Sequence, residues 1–210
     1  MRQLATVILV IFGFSFICMP VYSAYKGGIS YSIPIEYKNL SENELESKAK
    51  HYFYLSAPSN NGVISEETSS ALVLYSILQN MNPQNIDYSV KLGLLYDKIN
   101  KDRYAKGSFA RAIGIEPFNP KPYFYYGEFY YKRNQYKQAL RYYNKAFEYS
   151  ENPDYELCYK LGEIYEKFGD TRKSLEYYRL AQTRSPNEKL DYKIRYVEAL
   201  ETANKVYYKK

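Results

Sequence analysis

Residues 123–146 read YFYYGEFYYKRNQYKQALRYYNKA, and this stretch decides the fold. Apolar and aromatic side chains recur in it at intervals of three and four residues, on both sides of Asn134. That spacing places them along one face of an α-helix, so the stretch predicts two amphipathic helices. Asn134 and Gln135 supply the turn chemistry between the two helices.

The same pattern occurs in three successive copies, which are marked by Gly93, Gly127 and Gly162 at separations of 34 and 35 residues. In each copy the glycine lets the two helices of a pair approach closely, an alanine does the same from the second helix, and a proline ends that helix. The alanines and prolines are Ala112, Ala146, Ala181, Pro117, Pro153 and Pro186. Gly169 and Asp170 provide the turn of the third copy.

This pattern resembles the tetratricopeptide repeat (TPR), and the resemblance covers Ile86 to Pro186. Ser89, Tyr123 and Cys158 are departures, because the family usually has tryptophan at their position. The resemblance implies an all-α fold, a TPR solenoid of antiparallel helix pairs with a C-terminal capping helix. A hydrophobic segment precedes this solenoid in the sequence.

The repeat pattern extends beyond the three full copies at both ends. Ala71, Tyr75 and Leu78 match the second helix of a degenerate repeat, whose first helix begins at the capping-box sequence Ser41-x-x-Glu44. A polar loop separates those two helices, and a long helix follows the last repeat as a cap. The predicted ranges are 1–25 (signal peptide or signal-anchor transmembrane helix), 26–40 (linker), 41–85 (degenerate repeat with inserted loop), 86–119, 120–154 and 155–186 (repeats), and 187–210 (capping helix).

The N-terminal segment carries no charge from Gln3 through Tyr25, a run of 23 residues that follows Arg2. At about 1.5 Å per helical residue this run reaches roughly 34 Å, which is enough to span a bilayer. It is equally compatible with a signal peptide that is cleaved after Ser23. Both alternatives place the rest of the chain outside the cytoplasm, either periplasmic or secreted, or anchored in the inner membrane by the N-terminal helix.

Composition argues against a metal site, a cofactor or catalysis. Cys18 and Cys158 form no disulfide framework and have no zinc-ligand spacing. His51 is the one histidine in the sequence, and its neighbours suggest no catalytic or metal-binding partner. Neither a glycine-rich phosphate loop nor a nucleophile elbow is present in the sequence. We therefore expect a binding protein that is not an enzyme and that needs no cofactor or metal.

The TPR resemblance implies that the first helix of each pair lines a concave face. The predicted partner-binding residues on that face are Lys91, Leu94, Lys98, Phe124, Tyr125, Glu128, Tyr131, Lys132, Tyr159, Lys160 and Glu163. Aromatic rings among lysines suit an extended peptide or a partner helix with apolar anchors and some acidic residues. The alternative is that these tyrosines pack against the next repeat and the lysines are merely solvated.

The family's chaperone-type carboxylate clamp is not expected, because Leu94 and Tyr125 occupy places where that clamp has asparagines. Our leading hypothesis is an extracytoplasmic TPR scaffold in an envelope-associated assembly for secretion, motility (such as a flagellar motor) or cell-wall synthesis. Its partner would be a protein or peptide in the groove, with a membrane contact through residues 1–25 if they are not cleaved. The alternatives are a glycan-binding or enzyme-accessory module and a nucleic-acid-binding repeat protein. The pI of about 9.0 and the interleaved tyrosines and lysines motivate the nucleic-acid alternative, whereas export and the mild net charge argue against it.

Overall fold

In the computed structural model, residues 35–207 are described, and they form one short 3-10 helix (Ile35–Tyr37) followed by nine α-helices. The α-helices are α1 Glu42–Leu55, α2 Glu66–Met81, α3 Ile86–Lys98, α4 Asp102–Ile115, α5 Pro120–Lys132, α6 Tyr136–Glu148, α7 Tyr155–Lys167, α8 Thr171–Arg184 and α9 Glu188–Tyr207. The predicted signal or anchor segment lies outside the described residues. Among the helices of 35–207, none has the length and apolar character needed to cross a bilayer.

Helix α1 begins as the sequence predicts. The backbone N–H of Glu44 donates to the Ser41 hydroxyl at 3.4 Å, and the backbone N–H of Ser41 donates to the Glu44 carboxylate at 2.8 Å. These two bonds satisfy N–H groups that have no partner inside the helix. The predicted capping box is therefore confirmed.

The turns inside the last three pairs share one backbone device. Asn100, Asn134 and Gly169 have φ angles of 58°, 56° and 76°, in the left-handed region that favours Asn and Gly. They lie 34 and 35 residues apart, like the repeat glycines. Each turn therefore reverses the chain in the same way, and the turn positions predicted at Asn134 and Gly169 are confirmed.

A close approach of glycine to an aromatic ring holds each of these pairs together. A Cβ added to Gly93 would lie 2.6 Å from a ring carbon of Phe109, and a Cβ on Gly127 would lie 2.6 Å from the ring of Tyr143. The last pair repeats this geometry between α7 and α8, where Gly162 faces Tyr178. We call each of these three contacts a glycine slot, because any larger residue would collide with a fully buried ring.

The pairs stack because the second helix of one pair packs against the first helix of the next. Between α6 and α7 one core cluster contains Ala139, Tyr143, Ala146, Leu157, Leu161 and Ile164. At the C-terminal end, Leu190 and Val197 of α9 join the cluster of Tyr178 and Ala181, so α9 covers the last apolar surface of the stack. The all-α solenoid with a capping helix is thus confirmed for the described residues.

The first pair, α1 and α2, is joined by a longer loop that the structure ties down at its α1 end. The backbone N–H of Ala57 donates to the Thr68 hydroxyl at 3.1 Å, and that hydroxyl donates back to the Ala57 carbonyl at 3.1 Å. The Lys98 ammonium donates to the carbonyl and the hydroxyl of Ser56, at 3.1 and 2.6 Å. These contacts fix the loop against the start of α2 and the end of α3.

Candidate protein-binding face

Helices α3, α5 and α7, the first helices of their pairs, lie side by side and form one surface. The Lys121 ammonium lies 2.6 Å from the Asp87 carboxylate, which joins α5 to α3. The Lys160 ammonium lies 3.8 Å from Glu128, which joins α7 to α5. We call this surface the first-helix face, and it carries all of the predicted partner-binding residues.

Two predicted lysines of α3 turn towards α1. The ammonium groups of Lys91 and Lys98 lie 4.0 and 4.9 Å from the centre of the Phe53 ring. Burial, and then the neighbouring charges of Lys121 and Lys132 respectively, lower the pKa of the two side chains. These cations therefore make cation–π contacts that hold α1 to the stack.

The four predicted aromatic residues are half-buried, and they pack against different parts of the core. Phe124 and Tyr125 are in ring contact, with their centres 5.4 Å apart. The ring centres of Tyr131 and Tyr136 are 5.5 Å apart, and Tyr159 stacks on Tyr155 at 5.8 Å. The predicted strip is therefore a series of partly exposed rings, each in contact with another aromatic side chain.

The remaining apolar residue, Leu94, belongs to the same region as Tyr125. Both pack against the core cluster of Ile86, Val90 and Ala112, at the junction of α3, α4 and α5. Leu94 and Tyr125 therefore offer apolar surface at this point of the face, where an asparagine would offer an amide.

The centre of the face is a network of charges and hydroxyl groups. The Tyr131 hydroxyl donates to Glu163 at 3.1 Å, and the Tyr143 hydroxyl donates to Glu128 from inside the glycine slot. The Lys160 ammonium lies between the two carboxylates, 3.8 Å from Glu128 and 3.4 Å from Glu163. Burial, and then these negative charges, raise the pKa of both tyrosines. The structure thus brings four predicted residues together, and the one ammonium offsets one of the two carboxylate charges.

Lys132, another predicted residue, takes part in an ion cluster that sequence reasoning missed. Its ammonium lies 3.0 Å from Asp97, a carboxylate whose side chain is 8% exposed. The Arg133 guanidinium lies 2.7 Å from Asp97 and 2.6 Å from Asp102, and 3.7 Å above the ring of Phe129. We call the contacts of Arg133 with Asp97 and Asp102 the arginine clamp, which joins α3, α4 and α5. No repeat signal could have found it, because Arg133 is matched by Phe168 one repeat later.

The face continues onto α9, which the sequence interpretation treated as a cap alone. Leu190, Ile194 and Val197 follow Leu157, Leu161 and Ile164 by 33 residues and pack on α8 as those residues pack on α6. In the same register, Tyr192 corresponds to Tyr159 and Tyr196 to Glu163. Tyr192 and Tyr196 are 75% and 48% exposed, so the most accessible rings of this face lie on α9.

A second tyrosine–carboxylate contact connects α7 to α9. The Tyr178 hydroxyl donates to Glu166 at 2.8 Å, and the Lys193 ammonium of α9 donates to the same carboxylate at 2.9 Å. Tyr178 and Tyr143 are 35 residues apart, and this repeat spacing of buried tyrosines is the signal that could have predicted an acidic partner. Within residues 35–207, no group of three or more acidic, histidine or cysteine side chains is placed to hold a metal ion.

Comparisons with known protein families identify two of the repeats. Family models described as tetratricopeptide repeat match residues 120–153 and 155–188. A search of curated proteins found no match.

Solved structures share the fold at low sequence identity. A MamA crystal structure aligns at a TM-score of 0.56 and 19% identity, over 65% of this chain and 80% of that chain. PilW, described as a widely conserved type IV pilus biogenesis factor, aligns at 0.57 and 20%, over 70% of this chain and 64% of PilW. MamA of AMB-1 aligns at a TM-score of 0.58 and 17% identity, over 77% of this chain and 82% of that chain. Residues 120–153 and 155–188 are therefore tetratricopeptide repeats, with two helix pairs stacked before them and the single helix α9 after them, in a fold that serves as a scaffold for binding other proteins.

Proposed function

We propose that the chain is a non-catalytic, extracytoplasmic scaffold that binds a protein partner on its first-helix face, within an envelope-associated assembly. One observation carries the binding part of this proposal. Partly exposed rings, Phe124, Tyr125, Tyr131 and Tyr159, continue into the exposed rings of Tyr192 and Tyr196 along neighbouring helices. Large aromatic anchors of this kind contribute much of the free energy of binding at protein interfaces.

The face is organised before a partner arrives. Tyr131 is held by its bond to Glu163 and by the Lys160 ammonium, which lies 4.4 Å from its ring centre. A ring that is already fixed loses little conformational entropy on binding. Because Glu128 and Glu163 are already paired with Lys160, the partner gains most from apolar contacts with the rings. Lys121 and Lys132 remain partly exposed beside their carboxylates and suit acidic residues of the partner.

The proposed location rests on sequence and on fold analogy. The uncharged run from Gln3 through Tyr25 fits a signal peptide or a membrane anchor. PilW, a type IV pilus biogenesis factor, shares the fold, so an envelope machine for secretion, motility or cell-wall synthesis is the setting that we propose. The partner identifies the machine.

Partner binding is tested by affinity purification of the full chain from gently solubilised membranes. Tyr192→Ala with Tyr196→Ala should reduce recovery of the partner at least about tenfold, since buried aromatic anchors are each worth 1 kcal/mol or more. Tyr104→Ala on α4 removes a ring that is also largely exposed but lies on a second helix, and it is the matched control. Equal recovery by all three proteins, or equal loss in both variants, would reject the first-helix face as the binding surface.

Location is tested by thiol labelling in intact cells. In a chain that carries Cys18→Ser, Gln138→Cys adds an exposed thiol on α6, whereas the native Cys158 is buried and reacts slowly. Labelling of residue 138 by a membrane-impermeant maleimide before lysis is the expected result, and labelling that requires lysis would contradict export. The intact mass of the purified chain distinguishes an N-terminus at Ala24 from a retained anchor.

A further inference from the structure

Three cations occupy equivalent positions along one edge of the stack. Arg103, Lys137 and Arg172 each lie three residues after the left-handed residue of their turn, as the second residue of α4, α6 and α8. All three are exposed, and within residues 35–207 none forms an ion pair with a carboxylate. Because the pairs stack in register, the three charges form a row rather than a cluster in one pocket.

Further charges and two aromatic rings lie at the same turns. Lys101 precedes α4, and Lys167 ends α7; both are exposed. The rings of Tyr104 and Phe168 are 58% and 44% exposed. We call this set the basic turn edge, and its members are Lys101, Arg103, Tyr104, Lys137, Lys167, Phe168 and Arg172.

The carboxylates at these turns are engaged with other groups. Asp102 is held by Arg133 in the arginine clamp. Asp170 accepts the backbone N–H of Lys173 at 3.1 Å and lies 3.7 Å from the Lys173 ammonium. Glu176 lies one helical turn beyond Arg172 and offsets part of its charge. The edge therefore keeps a net positive charge after its acidic neighbours are counted.

On the opposite edge, formed by the turns between pairs, the turn between α6 and α7 has the other sign. It carries Glu148, Glu151, Asp154 and Glu156, and no Lys or Arg lies between Lys145 and Lys160. Residues 35–207 carry a net charge of +2, from 25 Lys and Arg against 23 Asp and Glu, and five of these cations lie on the basic turn edge. Such a separation orients a molecule with its basic edge towards an anionic surface.

We infer that the basic turn edge docks on the surface of a bilayer that contains anionic phospholipid. Cations spread along an exposed row match an extended charged surface, and aromatic rings beside cations are the side chains that favour the membrane–water interface. The uncharged run from Gln3 through Tyr25 supplies the reason to choose lipid over an acidic protein or a nucleic acid. This inference rests on the membrane location proposed above, but it does not depend on a protein partner.

The test uses the full chain with Cys18→Ser in lipid vesicles, with a fluorophore on one of two new thiols. Gln138→Cys places the fluorophore beside Lys137 on the basic turn edge, and Asn152→Cys places it on the opposite edge; both positions are exposed and neither change alters a charge. In vesicles with phosphatidylglycerol, nitroxide-labelled lipid should quench the fluorophore at 138 and not at 152. The quenching should disappear in pure phosphatidylcholine, and also at 0.5 M salt, where the Debye length falls to about 4 Å.

Charge variants make the result specific. Arg103→Gln with Lys137→Gln and Arg172→Gln should abolish quenching at 138, with helicity and Tm unchanged because the three side chains are exposed and make no ion pair. Lys48→Gln with Lys189→Gln and Arg195→Gln removes the same charge from exposed positions elsewhere and should leave the quenching intact. Equal quenching at 138 and 152, or quenching that survives the edge variant, would overturn the inference. Protection of residue 138 by an acidic peptide or single-stranded RNA, without an effect of anionic lipid, would also overturn it and assign the edge to that partner.

Because these vesicles contain no protein partner, the outcome is independent of partner capture by the first-helix face. Quenching at 138 that survives the edge variant, together with normal partner recovery, would reject the lipid contact alone. Loss of partner recovery in the Tyr192 and Tyr196 variants with normal quenching would support both proposals separately.

Discussion

The glycine slots of the second and third helix pairs hold aromatic rings that differ by one hydroxyl group. Gly93 faces Phe109 in the earlier slot, and Gly127 faces Tyr143 in the later one, with the same 2.6 Å approach of an added Cβ to the ring. The Tyr143 hydroxyl donates to Glu128 on the first-helix face. The slot sets how closely the helices pack, and the end of the ring sets which charge is held on the surface.

The residue beside the end of each ring also differs between the slots. Leu94 lies 34 residues before Glu128, in the corresponding place beside Phe109. Tyr75 gives a third case, because it lies 34 residues before Phe109 on α2 and its buried hydroxyl has no hydrogen-bond partner among the described residues. Burial accordingly raises the pKa of Tyr75 to about 12. The comparison teaches that packing is repeated strictly along the stack, whereas polar contacts are specific to each pair.

The largest expected effect comes from filling a slot. Gly127→Val should lower the free energy of unfolding by about 3 kcal/mol, because the added carbons meet a fully buried ring that has no room to move. Gly93→Val should cost about as much, since the steric constraint is the same in both slots. Urea denaturation measures both values. Gly107→Ala is the control, because nothing lies within 4 Å of its added Cβ, and it should stabilise α4 by about 0.5 kcal/mol. A loss of stability in only one of the two valine variants would show that the steric constraint differs between the slots.

A smaller loss of stability should follow when the phenylalanine of the earlier slot is replaced by the tyrosine that the later slot contains. Phe109→Tyr places a hydroxyl beside Leu94, where it has no acceptor, and should cost about 2 kcal/mol in the free energy of unfolding. Combining Phe109→Tyr with Leu94→Glu should recover part of that loss, because the new carboxylate can accept the hydroxyl as Glu128 does. A double-mutant cycle by urea denaturation gives the coupling energy. Coupling near zero would show that ring and carboxylate are independent.

At alkaline pH the two slots that contain tyrosine should lose stability, whereas the slot that contains Phe109 should not. Burial, and then a carboxylate partner, raise the pKa of Tyr143 and Tyr178 above the ordinary 10.0. A group whose pKa is raised in the folded state contributes its full stability below the unfolded pKa, and loses it as pH rises. Each tyrosine should therefore remove about 1.4 kcal/mol of unfolding free energy per pH unit above 10. Tyr143→Phe with Tyr178→Phe should flatten this decline, and an unchanged slope between pH 10 and 11 would contradict the assignment.

The smallest effects compare two tyrosines at neutral pH. Tyr143→Phe removes the hydroxyl bond to Glu128 and should cost about 1 kcal/mol, since the carboxylate keeps Lys160 and some solvent. Tyr75→Phe removes a hydroxyl without a partner, so it should be neutral or stabilising by about 0.5 kcal/mol. Thermal unfolding of the two variants side by side measures the difference. A clear loss in Tyr75→Phe would show that its hydroxyl has a partner such as an internal water.

Features that depend on local sterics could be predicted from the sequence. Gly127 and Gly162 show their packing role by spacing, and Asn134 and Gly169 show the turns, because helix geometry repeats with the chain. The capping box at Ser41 involves residues three positions apart, so it could also be read directly.

The polar contacts of the face could not be predicted in the same way. Lys98 was grouped with the binding residues, but its ammonium reaches Ser56, 42 residues earlier in the chain. Lys160 lies between Glu128 and Glu163. Which carboxylates it contacts depends on its side-chain rotamer and on the offset between α5 and α7. Tyr192 required the 33-residue register of α9, which differs from the 34 and 35 of the other repeats and was visible once the packing of Leu190 was known.

The arginine clamp has a consequence for the order in which the stack opens. In a linear array each repeat contacts its neighbours alone, so opening begins at the weakest junction and spreads from there. Arg133 strengthens the junction of α3, α4 and α5, whereas Phe168 occupies the matching place at the next junction and cannot form such a clamp. We therefore expect amide hydrogens of α7 and α9 to exchange with solvent sooner than those of α3 and α5. A partner that binds to Tyr159 and Tyr192 would stabilise the end of the stack that opens first. Its binding would therefore slow the exchange of the amide hydrogens of α7 and α9.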